Sequence, residues 1–420
     1  MAPVRIRWFL VLGVAIGALV AVVRLLVTPR STAVGADAPT VPGTALFEGV
    51  MSHVQSFSVD SLDAQELYRR AAAGVIEELD DPYAVLVLRG ERVAFPDSAS
   101  PQGLYLDRRD GSAVVVATVA GSPADTAGVE AGDVLLAVDS IPVDALHLDR
   151  GMRLLEGEPG TRTTLRLRRP GVRGIISLDV VRGPGREVPA LTASLLPGQV
   201  GVVELRKFVP FAADSVREAV ESLRRQGARS LVLDLRGAVG GALEQGAALA
   251  DLFLGATTTL AVSRRRGAPS LTLTDSSASP FDSLPMAILV DGGTAGAGEV
   301  AAGALQDHDR AAVLGETTFG RGVTQSSFPL GDGASLRLTT ALWMTPSGRQ
   351  IQRPPEAAAD STDRPKLKSD GGRVILGGGG IVPDRAVRDT GTTDQVLAAA
   401  RRLLLRASSP KAVIALIGSE

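Results

Sequence analysis

The 420-residue chain contains no cysteine. Disulfides, thiol nucleophiles and zinc–thiolate sites are therefore excluded. Lysine is nearly as scarce: Lys207, Lys366, Lys368 and Lys411 are the whole set, and arginine carries almost all the positive charge. Chemistry that needs a deprotonable amine thus has few places to occur. The histidines, His53, His147 and His308, are scattered without metal-motif spacing. No metal and no cofactor is expected. Basic and acidic residues nearly balance, 44 against 46, for a net charge of −2. Nothing global draws such a chain to nucleic acid, and no nucleic-acid partner is expected. The length leaves room for two or three domains with sizeable cores.

What is present begins with an apolar run over residues 8–27, preceded by Arg5 and Arg7 and interrupted near its end by Arg24. Positive charge ahead of an apolar stretch keeps an N-terminus in the cytoplasm. The run is about long enough to span a bilayer if Arg24 snorkels. A cleaved signal peptide opens in the same way, and residues 32–38 offer only a weak cleavage site. The reading favoured is an inner-membrane anchor over residues 1–28 and a linker over 29–44, with the main body in the periplasm or otherwise outside the cytoplasm.

Residues 45–95 follow as a helical segment. Asp63 with Glu66 three positions later suits a capping box, and Leu67, Ala71, Val75 and Leu79 recur on one face. Residues 96–185 switch to short strands at 113–119, 134–138, 163–168 and 175–181, with a helix at 148–155. From residue 186 to 406 strands and helices alternate: strands at 200–205, 230–235 and 286–290, helices at 212–225, 243–254 and 299–306. Such alternation implies βαβ units and a largely parallel sheet, with chemistry in the loops at strand C-termini. A last helix covers 393–405, and residues 407–420 form a tail.

Two resemblances rest on quoted residues. Gly121-Ser122-Pro123-Ala124, then Ala127-Gly128-Val129 and Gly132-Asp133-Val134-Leu135, resemble a PDZ domain of envelope proteases. That resemblance implies a carboxylate-binding loop at Gly103, Leu104, Tyr105 and Leu106, where an extended peptide could add to a sheet edge. The alternative is a module serving only as spacer or lid. Glu78-Leu79-Asp80-Asp81-Pro82-Tyr83, Leu233-Asp234-Leu235-Arg236 with Gly240-Gly241, Gly315-Glu316-Thr317-Thr318-Phe319-Gly320 and Gly380-Ile381-Val382-Pro383-Asp384 appear in order. Together they resemble the C-terminal processing, or tail-specific, serine peptidases. The fold implied is a mixed α/β and α+β chain whose core is ClpP/crotonase-like. Gly240, Gly241 and Ala297 would then form the oxyanion loop.

Against that family the chain departs where the chemistry lies. The resemblance places a nucleophilic serine at Gly296, within Thr294-Ala295-Gly296-Ala297-Gly298-Glu299. It places the lysine base at Arg321, between Gly320 and Gly322; the glutamine that steadies it is present as Gln325. A serine hydroxyl is a poor nucleophile until a base takes its proton. Arginine, with a pKa above about 12, cannot be that base.

The reading is an envelope protein that is non-catalytic and binds C-terminal tails, unstructured polypeptides or an active peptidase relative. An arginine in the old cleft would suit a bidentate grip on a peptide carboxylate, or would fill space beside a nearby acid. The alternative is an active endopeptidase cleaving near protein C-termini through a relocated nucleophile, with Thr294, Ser326 and Ser327 as candidates. A remote alternative is nucleotide binding, from the Gly-x-Gly-x-x-Ala pattern at Gly296 and the acid Glu316 downstream.

Overall fold

The computed structural model describes residues 42–417, apart from 61, 80, 91–98, 101, 110, 120, 144–147, 184–188, 276–277, 355–363 and 389–392. Residues up to Ala72 belong to one compact unit and those from Ala73 to another. The first holds helix α1 (Gly43–Phe57) and most of α2 (Ala64–Glu77). Asp63 accepts the Glu66 backbone N–H at 2.8 Å, and Glu66 reaches forward to Arg69 and Arg70. The α2 start read from the sequence is thus a real side-chain cap.

In the second unit a short strand β1 (Val85–Val87) precedes the PDZ-like module. That module comprises β2 (Leu104–Arg109), β3 (Ser112–Thr118), α3 (Pro123–Thr126), β4 (Val134–Val138), β5 (Ile141–Pro142), α4 (Leu148–Leu155), β6 (Arg162–Arg168) and β7 (Ile176–Val181). Its sheet runs β2-β3-β4-β6-β7. Strand β6 alternates: Thr163, Leu165 and Leu167 are buried, while Arg162, Arg166 and Arg168 are exposed and Thr164 is half-buried. That period of two marks an antiparallel sheet with one wet face.

The core follows with β8 (Leu191–Leu196), β9 (Val200–Leu205), α5 (Ala212–Arg225), β10 (Ser230–Asp234), α6 (Leu243–Asp251), β11 (Thr259–Arg265), β12 (Leu271–Thr274), β13 (Met286–Val290), α7 (Ala297–Asp307), β14 (Ala312–Gly315), β15 (Val323–Gly331) and β16 (Ala334–Met344). It closes with β17 (Lys366–Lys368), β18 (Val374–Leu376), β19 (Arg385–Ala386), α8 (Gln395–Arg406) and α9 (Pro410–Ile417). A six-stranded sheet in the order β19-β14-β13-β10-β9-β8 is parallel except at β8, which pairs antiparallel with β9. Every residue of β10 and of β13 is buried. Both faces are covered, by α5, α6 and α7 on one side and α8 and α9 on the other. Each buried Leu, Ile or Val contributes about 1.5–3 kcal/mol. This is why β10 and β13 read as unbroken apolar runs rather than alternations.

Two sequence expectations are corrected. The core is not a ClpP/crotonase-like stack of βαβ units. A second, antiparallel sheet stands beside the parallel one: β1, β11 and β15 all pair with the long β16, and β12 pairs with β11. It rests on pairings such as Val85 with Arg337 that local periodicity does not reveal. The membrane anchor is also not carried forward. Among the described residues no helix is long and apolar enough to cross a membrane, and residues 1–28 lie outside the described ones.

Candidate functional site

The site begins where β13 ends. The Asp291 Oδ1 atom accepts from Gly237 N at 2.9 Å and Gly293 N at 3.0 Å. This ties the turn leaving β13 to the glycine loop that follows β10. Burial pushes the Asp291 carboxyl pKa upward, against the pull of those donors. The turn then reverses at Gly296, with φ +66° and ψ −114°, and enters α7. A side chain rarely tolerates that conformation, and sharp strand-to-helix turns of this kind hold exposed nucleophiles in hydrolases. The space for a side chain remains: a Cβ on Gly296 would lie 3.8 Å from the Gly240 carbonyl oxygen and from Leu243, with nothing nearer.

Glu299, in the first turn of α7, is fully buried. Its Oε1 accepts from the Thr318 hydroxyl at 2.5 Å and Gly320 N at 2.7 Å, and its Oε2 from Arg321 N at 2.7 Å and Gly296 N at 3.1 Å. The Thr318 oxygen in turn accepts from Ile381 N, so its proton is committed to Glu299. Every partner donates, which suits a carboxylate, while burial pushes the pKa up. One side chain thereby fixes the turn at Gly296 to the loop carrying Arg321.

Arg321 does not reach into open space. Its Nε donates to Asp107 Oδ2 at 2.8 Å, and its Nη2 makes a shorter contact with the same oxygen. Asp107 lies on β2 of the PDZ-like module, 214 positions away in sequence, and is 1% exposed. Beside this pair Arg109 donates to the Phe319 carbonyl and stacks over its ring at 4.3 Å. Around them Tyr105, Val114, Val116 and Ala117 of the PDZ-like sheet pack with Val239, Ala295 and Phe319 of the core. The PDZ-like sheet therefore lies directly on the glycine loop and the turn at Gly296.

Gly296, Arg321, Gln325 and Gly241 line one cavity of about 360 Å³, together with Tyr83, Leu243, Glu244 and Ser327. Gly240 stands at its edge and Ala297 is buried at the helix start. The Gln325 amide donates to the Tyr83 carbonyl at 3.1 Å rather than to Arg321. The Tyr83 hydroxyl is buried, and burial pushes its pKa up. Thr294 is fully buried, accepts from Asp291 N and donates to the Leu235 carbonyl at 2.8 Å. Ser326 is paired with the Thr340 hydroxyl at 2.8 Å.

The proposed carboxylate loop is occupied by its own chain: Gly103 N donates to Ser100 O and Leu104 N to Ser100 Oγ. Gly103 itself is required, since a Cβ there would come within 2.2 Å of Ser122. Gly296 and Glu316 line different cavities, so they do not form a dinucleotide crevice. Sequence reasoning missed Asp107 and Glu299 as the residues that organise the site. Both are isolated acids in sequence, and only the fold brings their partners to them.

Comparison with known proteins matches residues 199–358 to peptidase family S41 and residues 114–169 to a PDZ domain. The chain is 28% identical, over 86% of its length and 78% of the relative's, to the carboxy-terminal processing protease CtpA of Bacillus subtilis. It is 31% identical, over 70% of its length and 60% of the relative's, to a chloroplastic carboxyl-terminal-processing peptidase 2 of Arabidopsis thaliana. The solved photosystem II D1 C-terminal processing protease superposes with a TM-score of 0.67 at 25% identity, covering 86% of this chain and 91% of that one. That fold replaces the ClpP/crotonase-like expectation. The chain is thus similar to the C-terminal processing peptidases over most of its length, with a PDZ domain match followed by an S41 peptidase match.

Proposed function

We propose that this chain is a non-catalytic member of the family, which binds polypeptide tails or partner proteins through its PDZ domain and altered cleft. The observation that carries this reading is the Gly296–Arg321 pair within one cavity. One position has no side chain, and the other holds a guanidinium committed to Asp107. Position 296 offers no hydroxyl, and arginine cannot accept a proton at position 321. The pairing also answers what the arginine does: it holds the PDZ sheet to the core rather than gripping a peptide carboxylate.

The similar proteins are named as proteases, and this favours a second reading, a serine-type endopeptidase acting through a relocated nucleophile. Thr294 and Ser326 have hydroxyls already engaged, which leaves Ser327 in the cavity wall. Among the described residues neither lysine nor histidine lines that cavity. Incubating the intact chain with an unstructured, tail-bearing protein separates the readings. The expected result is no cleavage; turnover abolished by Ser327→Ala or Thr294→Ala would establish the second.

Restoring the chemistry tests the cleft itself. A lysine at position 321 beside Asp107 would stay protonated, because an adjacent carboxylate raises an amine's pKa. Gly296→Ser with Arg321→Lys is therefore expected to remain inactive, whereas adding Asp107→Asn frees the amine and yields cleavage. Peptides with free and amidated C-termini address the PDZ role, and equal affinity for both would argue against carboxylate capture.

A further inference from the structure

We propose that a second, arginine-rimmed cleft binds an acidic, extended segment of polypeptide and leads it to the altered cavity; this rests on the polypeptide-binding reading and names the chemistry of the bound chain. The cleft encloses about 850 Å³. Arg108 and Arg109 reach it from the end of β2, Arg264, Arg265 and Arg266 from the end of β11, and Arg353 from the loop after β16. Its floor is apolar, formed in part by Phe319, Val323, Ala341 and Leu342. Among the described residues the one acid in its lining is Asp81, already bonded to Thr339 N, the Thr339 hydroxyl and Tyr83 N.

Several arginines elsewhere are matched with acids: Arg169, Arg236, Arg349 and Arg373 all sit in ion pairs. Among the described residues Arg108, Arg264, Arg265 and Arg266 have no such partner. The cleft thus holds four guanidinium groups without acidic partners, in a chain with slightly more acids than bases. Like charges held together repel, and the repulsion is relieved by a ligand of opposite sign. Guanidinium forks match carboxylates in two-point hydrogen bonds.

The shape indicates which polyanion. On the edge of β16 away from β15, β1 pairs up to Arg337 and β11 begins at Ala341; Asp81 takes the Thr339 N–H between them, so a chain in this cleft would rest on its floor rather than extend the sheet. An extended peptide places alternate side chains on one side roughly 7 Å apart, so acidic residues could meet the arginine rim while the others rest on the apolar floor. A nucleic acid would need open aromatic faces for stacking, but Arg109 covers the Phe319 ring. A lipid surface does not fit a concave cleft. Tyr83 and Val323 line both this cleft and the cavity at Gly296, so the two adjoin.

The test is fluorescence anisotropy of the intact chain with a labelled, C-terminally amidated peptide of alternating Glu and Val. Binding is expected to weaken at least about tenfold between low and roughly 0.5 M salt. Arg264→Ser, Arg265→Ser and Arg266→Ser combined are expected to lower affinity about 30-fold, since each exposed pair is worth up to about fivefold. Arg108→Ser alone, on the opposite wall, should lower it about threefold. All variants should melt as the parent does. Unchanged affinity in the triple variant overturns the proposal, as does equal binding of an oligothymidylate of the same charge or of phosphatidylserine vesicles. If the acidic peptide fails while a neutral peptide with a free C-terminus binds, the cleft assignment falls and the tail-binding function stands. If the acidic peptide binds and mass spectrometry finds it cut, the cleft stands and the non-catalytic reading falls.

Discussion

Two buried carboxylates grip the loop from Thr318 to Gly322 from opposite sides, and they do so by different means. Glu299 faces four neutral donors and no cation. Asp107 faces a guanidinium that comes from the loop itself. The first arrangement is backbone architecture: most of its donors are peptide N–H groups, which any sequence would supply once the fold is made. The second depends on one particular side chain, Arg321, which joins the PDZ-like sheet to the core. On the non-catalytic reading proposed above, the scaffold of the site is kept while its reacting position becomes that joint.

Removing each carboxylate sharpens this contrast. Glu299→Ala strands four buried donors, and we expect a loss of about 4 kcal/mol or more, read from urea unfolding. Loss below about 1 kcal/mol would mean that water replaces the carboxylate freely. Asp107→Ala leaves a buried guanidinium without its acid, and about 3 kcal/mol should be lost. Unlike the first loss, this one should be recoverable. Asp107→Leu combined with Arg321→Met is expected to fall within about 1 kcal/mol of the parent, because a buried ion pair can be replaced by apolar groups of similar size. A double variant as unstable as the single would show that the pair does more than join the domains.

Smaller effects follow at the turn. Gly296→Ser forces a side chain into a backbone conformation it rarely adopts, at a cost of about 1–2 kcal/mol in stability without any steric clash. The pH profile carries a further signature. Asp291 and Glu299 have folded pKa values raised above their ordinary 3.8 and 4.5. Groups shifted upward favour the folded state when protonated. Their contribution is complete below those ordinary values and declines as pH rises through the folded ones. Unfolding free energy should therefore fall as pH rises above those ordinary values, and Asp291→Asn should flatten the decline.

Much of the core was legible from local pattern. The helix over Ala212–Arg225 and the strands Val134–Val138 and Met286–Val290 coincide with the periodic segments read from sequence, because amphipathic spacing and unbroken apolar runs are local signals. Gly296 and Arg321 were found by motif, and the fold brings them into one cavity. What could not be read was distant pairing. Nothing in Asp107 announces a partner 214 residues away. The stretch of β16 that Asp81 takes up depends on where β1 and β11 happen to stop. The arginines of the larger cleft come from segments that sequence order keeps apart. The ClpP/crotonase-like core failed for the same reason: alternating strands and helices identify the parallel sheet but are silent about the antiparallel one beside it.

The bond between Arg321 and Asp107 also shapes the mutational landscape. A serine at the turn brings strain and no reaction; a lysine at the loop brings a cation that Asp107 holds charged; removal of Asp107 alone undoes the joint. On the non-catalytic reading, no one of these changes restores cleavage by itself. Sequences on the two sides are then three substitutions apart, a distance that drift by single changes does not readily cross.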